Sequence, residues 1–115
     1  MTLNCDEILL MSIDELSNII KEEQITCYKL CNIFINQIKK YNKFVNALAY
    51  NCFEDALNIA KYYDQKFKNY KGDVNELPKY FGVPFIIKES FELPYKPHTF
   101  GYVHRINKKG VKINE

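Results

Sequence analysis

The chain contains no long apolar run. A membrane-spanning helix needs about 20 consecutive apolar residues, whereas the uncharged run at residues 81–87 is far shorter and includes Gly82 and Pro84. Residues 1–7 have no basic segment ahead of an apolar stretch, which argues against a signal peptide. We therefore expect no transmembrane segment, and a location that is intracellular, either cytoplasmic or peripheral to an internal membrane.

Arginine and excess charge are also scarce. Arg105 is the single arginine among 16 basic residues, and the formal net charge is only +2. Arginine supplies the commonest bidentate contact to a base edge, and acidic residues are interspersed among the lysines. The composition therefore argues against a nucleic-acid partner.

The four cysteines lack the close paired spacing of a metal site. Cys27 and Cys31 are four residues apart and share one face of a predicted helix. Two thiolates without further ligands make a poor zinc site. We expect the cysteines to be buried structural thiols in a reducing compartment, with no bound metal and no cofactor.

Three helices are predicted before residue 70. Ser12 and Glu15 form a capping box, and the helix that it starts should end near Glu23. Thr26 is a good N-cap for a second helix, which should end near Lys39 and Lys40 because cations suit the negative end of the helix dipole. Residues 42–50 are expected to be extended, with several apolar side chains packed against the helices: Phe44, Val45, Ala47 and Leu48.

The third helix is predicted from about Cys52 to Lys68. Apolar residues recur along it at spacings of three and four, which predicts an amphipathic helix with one buried face. That face comprises Phe53, Ala56, Leu57, Ala60, Tyr63 and Phe67.

An apolar segment then leads directly to a lysine. Residues 85–87, Phe-Ile-Ile, predict a strand covered on both faces, and Lys88 follows at its end. Desolvation there would lower the lysine pKa from about 10.4 and make it a general base. The pattern alone equally fits a solvated strand end, with Lys88 paired to Glu89 or Glu92.

Several segments of the chain resemble the amidase signature family in their order and spacing. The segment at residues 82–91, Gly-Val-Pro-Phe-Ile-Ile-Lys-Glu-Ser-Phe, resembles the catalytic-lysine strand, and its Lys-Glu-x-Phe variant is most similar to type 2 fatty-acid amide hydrolases. The remaining matching positions are Ile25 to Cys27, residues 33–38, Asn46 and Ala47, Phe53 to Ala56, Ala60, residues 64–66, Pro97, Gly101 and Arg105.

The resemblance implies an α/β fold and a reaction. Residues 1–115 would be the N-terminal segment of an amidase domain, with about three helices followed by the first strand of a mixed sheet. The family cleaves carboxylic amides of small molecules through an acyl-enzyme formed by a Ser-Ser-Lys arrangement. Lys88 matches the lysine of that arrangement, which acts through a bridging serine on a nucleophilic serine.

The two serines of that arrangement have no match here. Ser90 is the only serine after Lys88, and the chain has no Gly-x-Ser-x-Gly segment. We therefore expect the chain to be the N-terminal part of a hydrolase and inactive alone. Ser90 is expected in a solvated turn, and His98 and His104 are expected to be loop residues.

A non-catalytic interaction module is the alternative. One strand with two apolar faces has few partners within so short a chain. Its exposed faces would then mediate self-association or pairing with a full-length relative.

Overall fold

The computed structural model describes residues 3–99, 102 and 105, and the chain divides into two compact units, Met1–Pro84 and Phe85–Glu115. All the helices of the described residues lie in the first unit. They are α1 (Cys5–Leu9), α2 (Ile13–Lys21), α3 (Cys27–Val45), α4 (Phe53–Lys68) and a short 3-10 helix (Val74–Glu76).

The predicted starts of α2 and α3 are confirmed by the side chains that cap them. The Glu15 amide donates to Ser12 Oγ at 3.2 Å, and the Ser12 amide donates back to the Glu15 carboxylate at 2.7 Å. The Lys29 amide donates to Thr26 Oγ1 at 3.1 Å. These short-range bonds satisfy N–H groups that have no partner inside the helix, so the local sequence alone sets both helix starts.

Helix α1 and the end of α3 differ from the prediction. Helix α1 was not expected, although Asn4 and Glu7 form a capping box at its start. Helix α3 continues past Lys40 because nothing interrupts it before Asn46, which takes a left-handed conformation with φ 49°. Phe44 and Val45 are consequently 74% and 66% exposed, so the expectation that they pack against the helices is wrong.

Helix α3 lies at the centre of the core, where it packs on α4 and α1. Cys27 and Leu30 on its first turns have no exposed surface. The expectation of buried thiols is confirmed for Cys27 and Cys31 and wrong for Cys5, which is exposed. The buried apolar residues of the core are Ile8, Leu16, Ile19, Ile20, Ile25, Cys27, Leu30, Cys31, Ile35, Ala60 and Phe81.

A carboxylate from α4 caps the start of α3. Asp64 accepts hydrogen bonds from the backbone amides of Cys27 at 2.7 Å and Tyr28 at 3.0 Å. These amides lie at the positive end of the helix dipole and have no acceptor within α3. Asp64 therefore fixes the position of α4 along α3.

The segment that follows the 3-10 helix is tied back to the helices. Ser17 Oγ on α2 donates to the Lys79 carbonyl at 2.5 Å. Phe81 lies edge-on to Tyr63 and tilted against Phe67, with ring centroids 5.3 and 5.7 Å apart. This residue was not expected in a helical core, and it completes the apolar face of α4.

Gly82 passes close to the core in a conformation that requires glycine. Its φ is 76°, and a Cβ atom there would collide with Cys27 Sγ and lie 3.2 Å from Ile20 Cδ1. The absence of a side chain at Gly82 thus lets the backbone approach α2 and α3.

The predicted strand is not formed in the described part of the second unit. Residues 85–87 have no regular secondary structure, and Phe85 and Ile86 are 80% and 65% exposed. A strand requires a neighbour for its backbone and a cover for its apolar faces, and residues 3–99, 102 and 105 supply neither. The α/β prediction is therefore met here only in its helical part.

The membrane prediction concerns the same elements. Within residues 3–99, 102 and 105, every helix is too short or too polar to cross a bilayer.

We expect Asp64→Ala to lower the free energy of unfolding by about 3 kcal/mol, since two amides at the start of α3 lose a charged acceptor. Asp64→Asn keeps an oxygen acceptor without the charge and should lose clearly less. Chemical denaturation followed by circular dichroism measures both. Equal stability of the wild type and Asp64→Ala would show that the cap is dispensable.

We expect Gly82→Ala to destabilise the chain by about 1–3 kcal/mol, because the new methyl group meets Cys27 and alanine disfavours a positive φ. Gly72→Ala is the matched control. There the nearest atoms belong to the mobile end of the Tyr70 side chain, which can move aside. Denaturation midpoints of the two variants should differ; similar midpoints would contradict the packing at Gly82.

The capping box of α2 should make stability depend on pH. The backbone and side-chain hydrogen bonds with Ser12 hold the pKa of Glu15 below its ordinary value of 4.5. Because the folded-state pKa is depressed, this stabilisation is present above about pH 4.5 and is lost as the pH falls through the folded-state value.

The matched variant is Glu15→Gln, which keeps an oxygen for the Ser12 amide but does not titrate. The difference in unfolding free energy between wild type and variant should shrink as the pH falls below 4.5. A difference that stays constant from neutral to acidic pH would contradict the assignment.

Candidate active site

Lys88 begins a tight turn in the second unit. The Phe91 amide donates to the Lys88 carbonyl at 3.0 Å, which closes residues 88–91 into a β-turn. The Lys88 side chain is exposed, so the burial expected for a strand-end lysine is missing within the described residues. The apolar residues that precede it are exposed as well.

The residue after the lysine is fixed by a contact across a loop. The Glu89 carboxylate accepts hydrogen bonds from the Thr99 hydroxyl and from the Thr99 amide, the latter at 3.0 Å. These bonds hold the pKa of Glu89 below its usual value, and the charges of His98 and Lys88 act in the same direction more weakly. Glu89 therefore closes residues 89–99 into a loop that begins beside Lys88.

The pairing of Glu89 with Thr99 was not anticipated from the sequence. The two residues are ten positions apart, and Pro94 and Pro97 lie between them. No helix or strand period relates residues across such a loop. A glutamate next to the lysine and a threonine after the second proline were the only available signals.

The other candidate side chains divide between the described and undescribed residues. Ser90 is exposed inside the Lys88 turn, which confirms its assignment to a solvated turn. His98 lies in a loop as expected but is buried. His104 and Gly101 lie outside the described residues.

The buried thiols are poor nucleophiles and poor metal ligands. Burial, together with the nearby Asp64 carboxylate, raises the pKa of Cys27 to about 12. Burial also raises the pKa of Cys31. Both thiols therefore stay protonated near neutral pH, whereas reaction and metal binding need the thiolate.

Neither a metal cluster nor an enclosed cavity competes with the lysine as a site. No three His, Cys, Asp or Glu side chains come together as a metal site within residues 3–99, 102 and 105. A shallow, open depression of about 290 Å³ lies beside α4 at Tyr62, Gln65, Lys66 and Asn69, and these residues include no acid–base pair.

Known proteins match the chain over both units. The Amidase family model matches residues 29–112, a range that includes α3, α4 and the Lys88 turn. Fatty-acid amide hydrolase 2 of Homo sapiens is 30% identical over 103 residues, which are 87% of this chain and 19% of that protein. Fatty-acid amide hydrolase 2-A of Danio rerio is 31% identical over 102 residues, 85% of this chain and 19% of that protein.

A different functional class also matches. A glutamyl-tRNA(Gln) amidotransferase of Clostridium acetobutylicum has one component that is 29% identical over 93 residues, 81% of this chain and 18% of that component. The chain thus spans about a fifth of the length of the curated relatives it matches. No solved structure matches it significantly. Because the family model covers most of the sequence, including the segment with Lys88, the chain belongs to the amidase family.

Proposed function

We propose that residues 1–115 are the N-terminal segment of an amide hydrolase of the fatty-acid amide hydrolase type, with Lys88 as its base. The observation that supports this most is the family match across Lys88, together with the similarity to two fatty-acid amide hydrolases. The substrate is a carboxylic amide of a small molecule, and the fatty acyl group is inferred from those relatives.

In the proposed reaction Lys88 acts as a neutral amine. It takes a proton, through a bridging serine, from the serine that attacks the amide carbonyl. The amine leaves with a proton, and water then hydrolyses the acyl-enzyme. No metal or cofactor is required for this sequence of steps.

The serines of this chain have other roles in the structure. Ser12 caps α2, and Ser17 donates to the Lys79 carbonyl. Ser90 is exposed in the Lys88 turn. The proposal therefore assigns the two catalytic serines to sequence outside these residues, and it predicts that the chain alone does not hydrolyse amides.

The exposure of Lys88 sets a condition on the proposal. A lysine is neutral near pH 7 only when its ammonium form is desolvated or lies close to other positive charges. The exposed apolar residues Phe85 and Ile86 directly before it would supply that environment once the rest of a domain covers them. This requirement favours a longer hydrolase over a catalytic chain of 115 residues.

The same exposed residues favour one alternative function. Phe85, Ile86 and Phe91 present uncovered apolar surface, which a second chain could cover instead. In that case the chain is a non-catalytic module that self-associates or pairs with a full-length relative.

The test begins with the transcript beyond the codon for Glu115, which we expect to continue in frame into a Ser- and Gly-rich segment. In that product, Lys88→Ala should lower kcat/KM for a fatty-acid amide by at least about a hundredfold, because a positioned base contributes 10²–10⁴-fold. Lys71→Ala, which removes an exposed lysine in the preceding loop, is the matched control.

Two results would contradict the proposal. One is full activity of Lys88→Ala in the complete protein. The other is a stop directly after Glu115 together with a self-associated chain in sedimentation experiments, which would establish the interaction module instead.

A further inference from the structure

The last two turns of α3 combine exposed apolar and basic side chains. We refer to them as the α3 tip, which consists of Lys39, Lys40, Tyr41, Lys43, Phe44 and Val45. All six side chains are exposed. Lys39 and Lys43 are four residues apart on one side of the helix, and Tyr41 and Val45 lie on the opposite side. The tip is therefore exposed around nearly its whole circumference.

The α3 tip is a fixed corner of the first unit. The Asn42 side chain donates to the Leu48 carbonyl at 3.0 Å and accepts from the Leu48 amide at 2.8 Å. The Asn46 amide donates to the Asn42 carbonyl at 2.7 Å, in the left-handed turn that ends the helix. These bonds reverse the chain at once and leave the end of α3 projecting.

The charge around the α3 tip is entirely positive over a long stretch of sequence. No Asp or Glu occurs between Glu23 and Glu54, whereas four lysines do. Two of these lysines lie over aromatic rings of the tip: Lys40 Nζ is 5.1 Å from the Tyr41 ring centroid and Lys43 Nζ is 4.9 Å from that of Phe44. The ammonium groups and the rings thus share one surface.

The lysines distinguish this surface from the exposed residues before Lys88. Residues 85–87 have no charge, so another part of a protein can cover them without burying an ion. Lysine is almost never fully buried unless it is paired. The α3 tip is therefore expected to stay accessible to solvent in a longer protein as well.

We propose that the α3 tip is a contact site for an anionic membrane surface. Aromatic and aliphatic side chains beside lysines bind the boundary between headgroups and acyl chains, where the ammonium groups reach the anionic headgroups. Phe44 and Val45 enter that boundary, and Lys39, Lys40 and Lys43 contact the headgroups. A folded protein partner would cover one side of a helix, whereas a lipid layer contacts a projecting helix end from all sides.

The proposal goes beyond the proposed hydrolysis and is tested without it. The 115-residue chain is sedimented with vesicles of phosphatidylcholine, with and without phosphatidylserine. We expect binding only to the phosphatidylserine vesicles, and weaker binding as salt is raised. Lys40→Gln/Lys43→Gln should weaken binding by roughly thirtyfold, about fivefold for each lysine near the surface. Phe44→Ser should weaken it severalfold.

Two matched controls separate the tip from general charge and apolarity. Lys66→Gln/Lys68→Gln removes the same charge from the exposed end of α4, and Phe85→Ser removes another exposed ring. Both should bind like the wild type, and circular dichroism should show unchanged helix content in every variant.

Three outcomes would overturn the proposal. The first is no binding of the wild-type chain to phosphatidylserine vesicles at low salt. The second is equal loss in the two double-lysine variants, which would indicate attraction by net charge alone. The third is binding to soluble polyglutamate as tight as that to vesicles, with no effect of Phe44→Ser, which would indicate a site for an acidic protein.

Discussion

The carboxylate of Asp64 is the contact on which the arrangement of the first unit depends. It lies on α4 and accepts from the first two amides of α3, so one side chain both caps a helix and joins the two helices that form the core. Cys27, whose amide it receives, is fully buried, and Gly82 approaches the Cys27 sulfur. A shift of α4 along α3 would therefore disturb the position of residues 81 and 82 as well. These are the last residues anchored in the core before the segment with Lys88.

The parts of the fold that could be predicted are those set by neighbouring residues. Ser12 with Glu15, and Thr26, specify helix starts because their hydrogen bonds span only three residues. The end of α3 was not predictable from charge, because a pair of lysines favours a helix end without stopping the helix. What stops it is the left-handed conformation of Asn46, and asparagine takes that conformation only in some contexts.

Long-range contacts explain the remaining differences. Asp64 follows Ala60 by four residues, so an acidic group stood on the apolar face of α4 as a visible sign of a partner. The identity of that partner required the fold. Residues 85–87 have the composition of a strand, but a strand forms only by pairing, and no local signal supplies the partner. The site follows the same rule: Lys88 was identifiable from its segment, whereas the Glu89–Thr99 contact and the exposure of the lysine were not.

Charge separates the two exposed apolar surfaces of the chain. Burying Phe85, Ile86 and Ile87 would contribute about 1.5–3 kcal/mol for each side chain, and no ion opposes it. Covering the α3 tip with protein would gain similar energy from Phe44 and Val45. It would also desolvate three ammonium groups, at several kcal/mol each unless acidic partners are provided. The α3 sequence provides none, since no acidic residue lies between Glu23 and Glu54. A lipid headgroup layer avoids this cost, because the lysine side chains reach anionic groups while the rings beside them leave water.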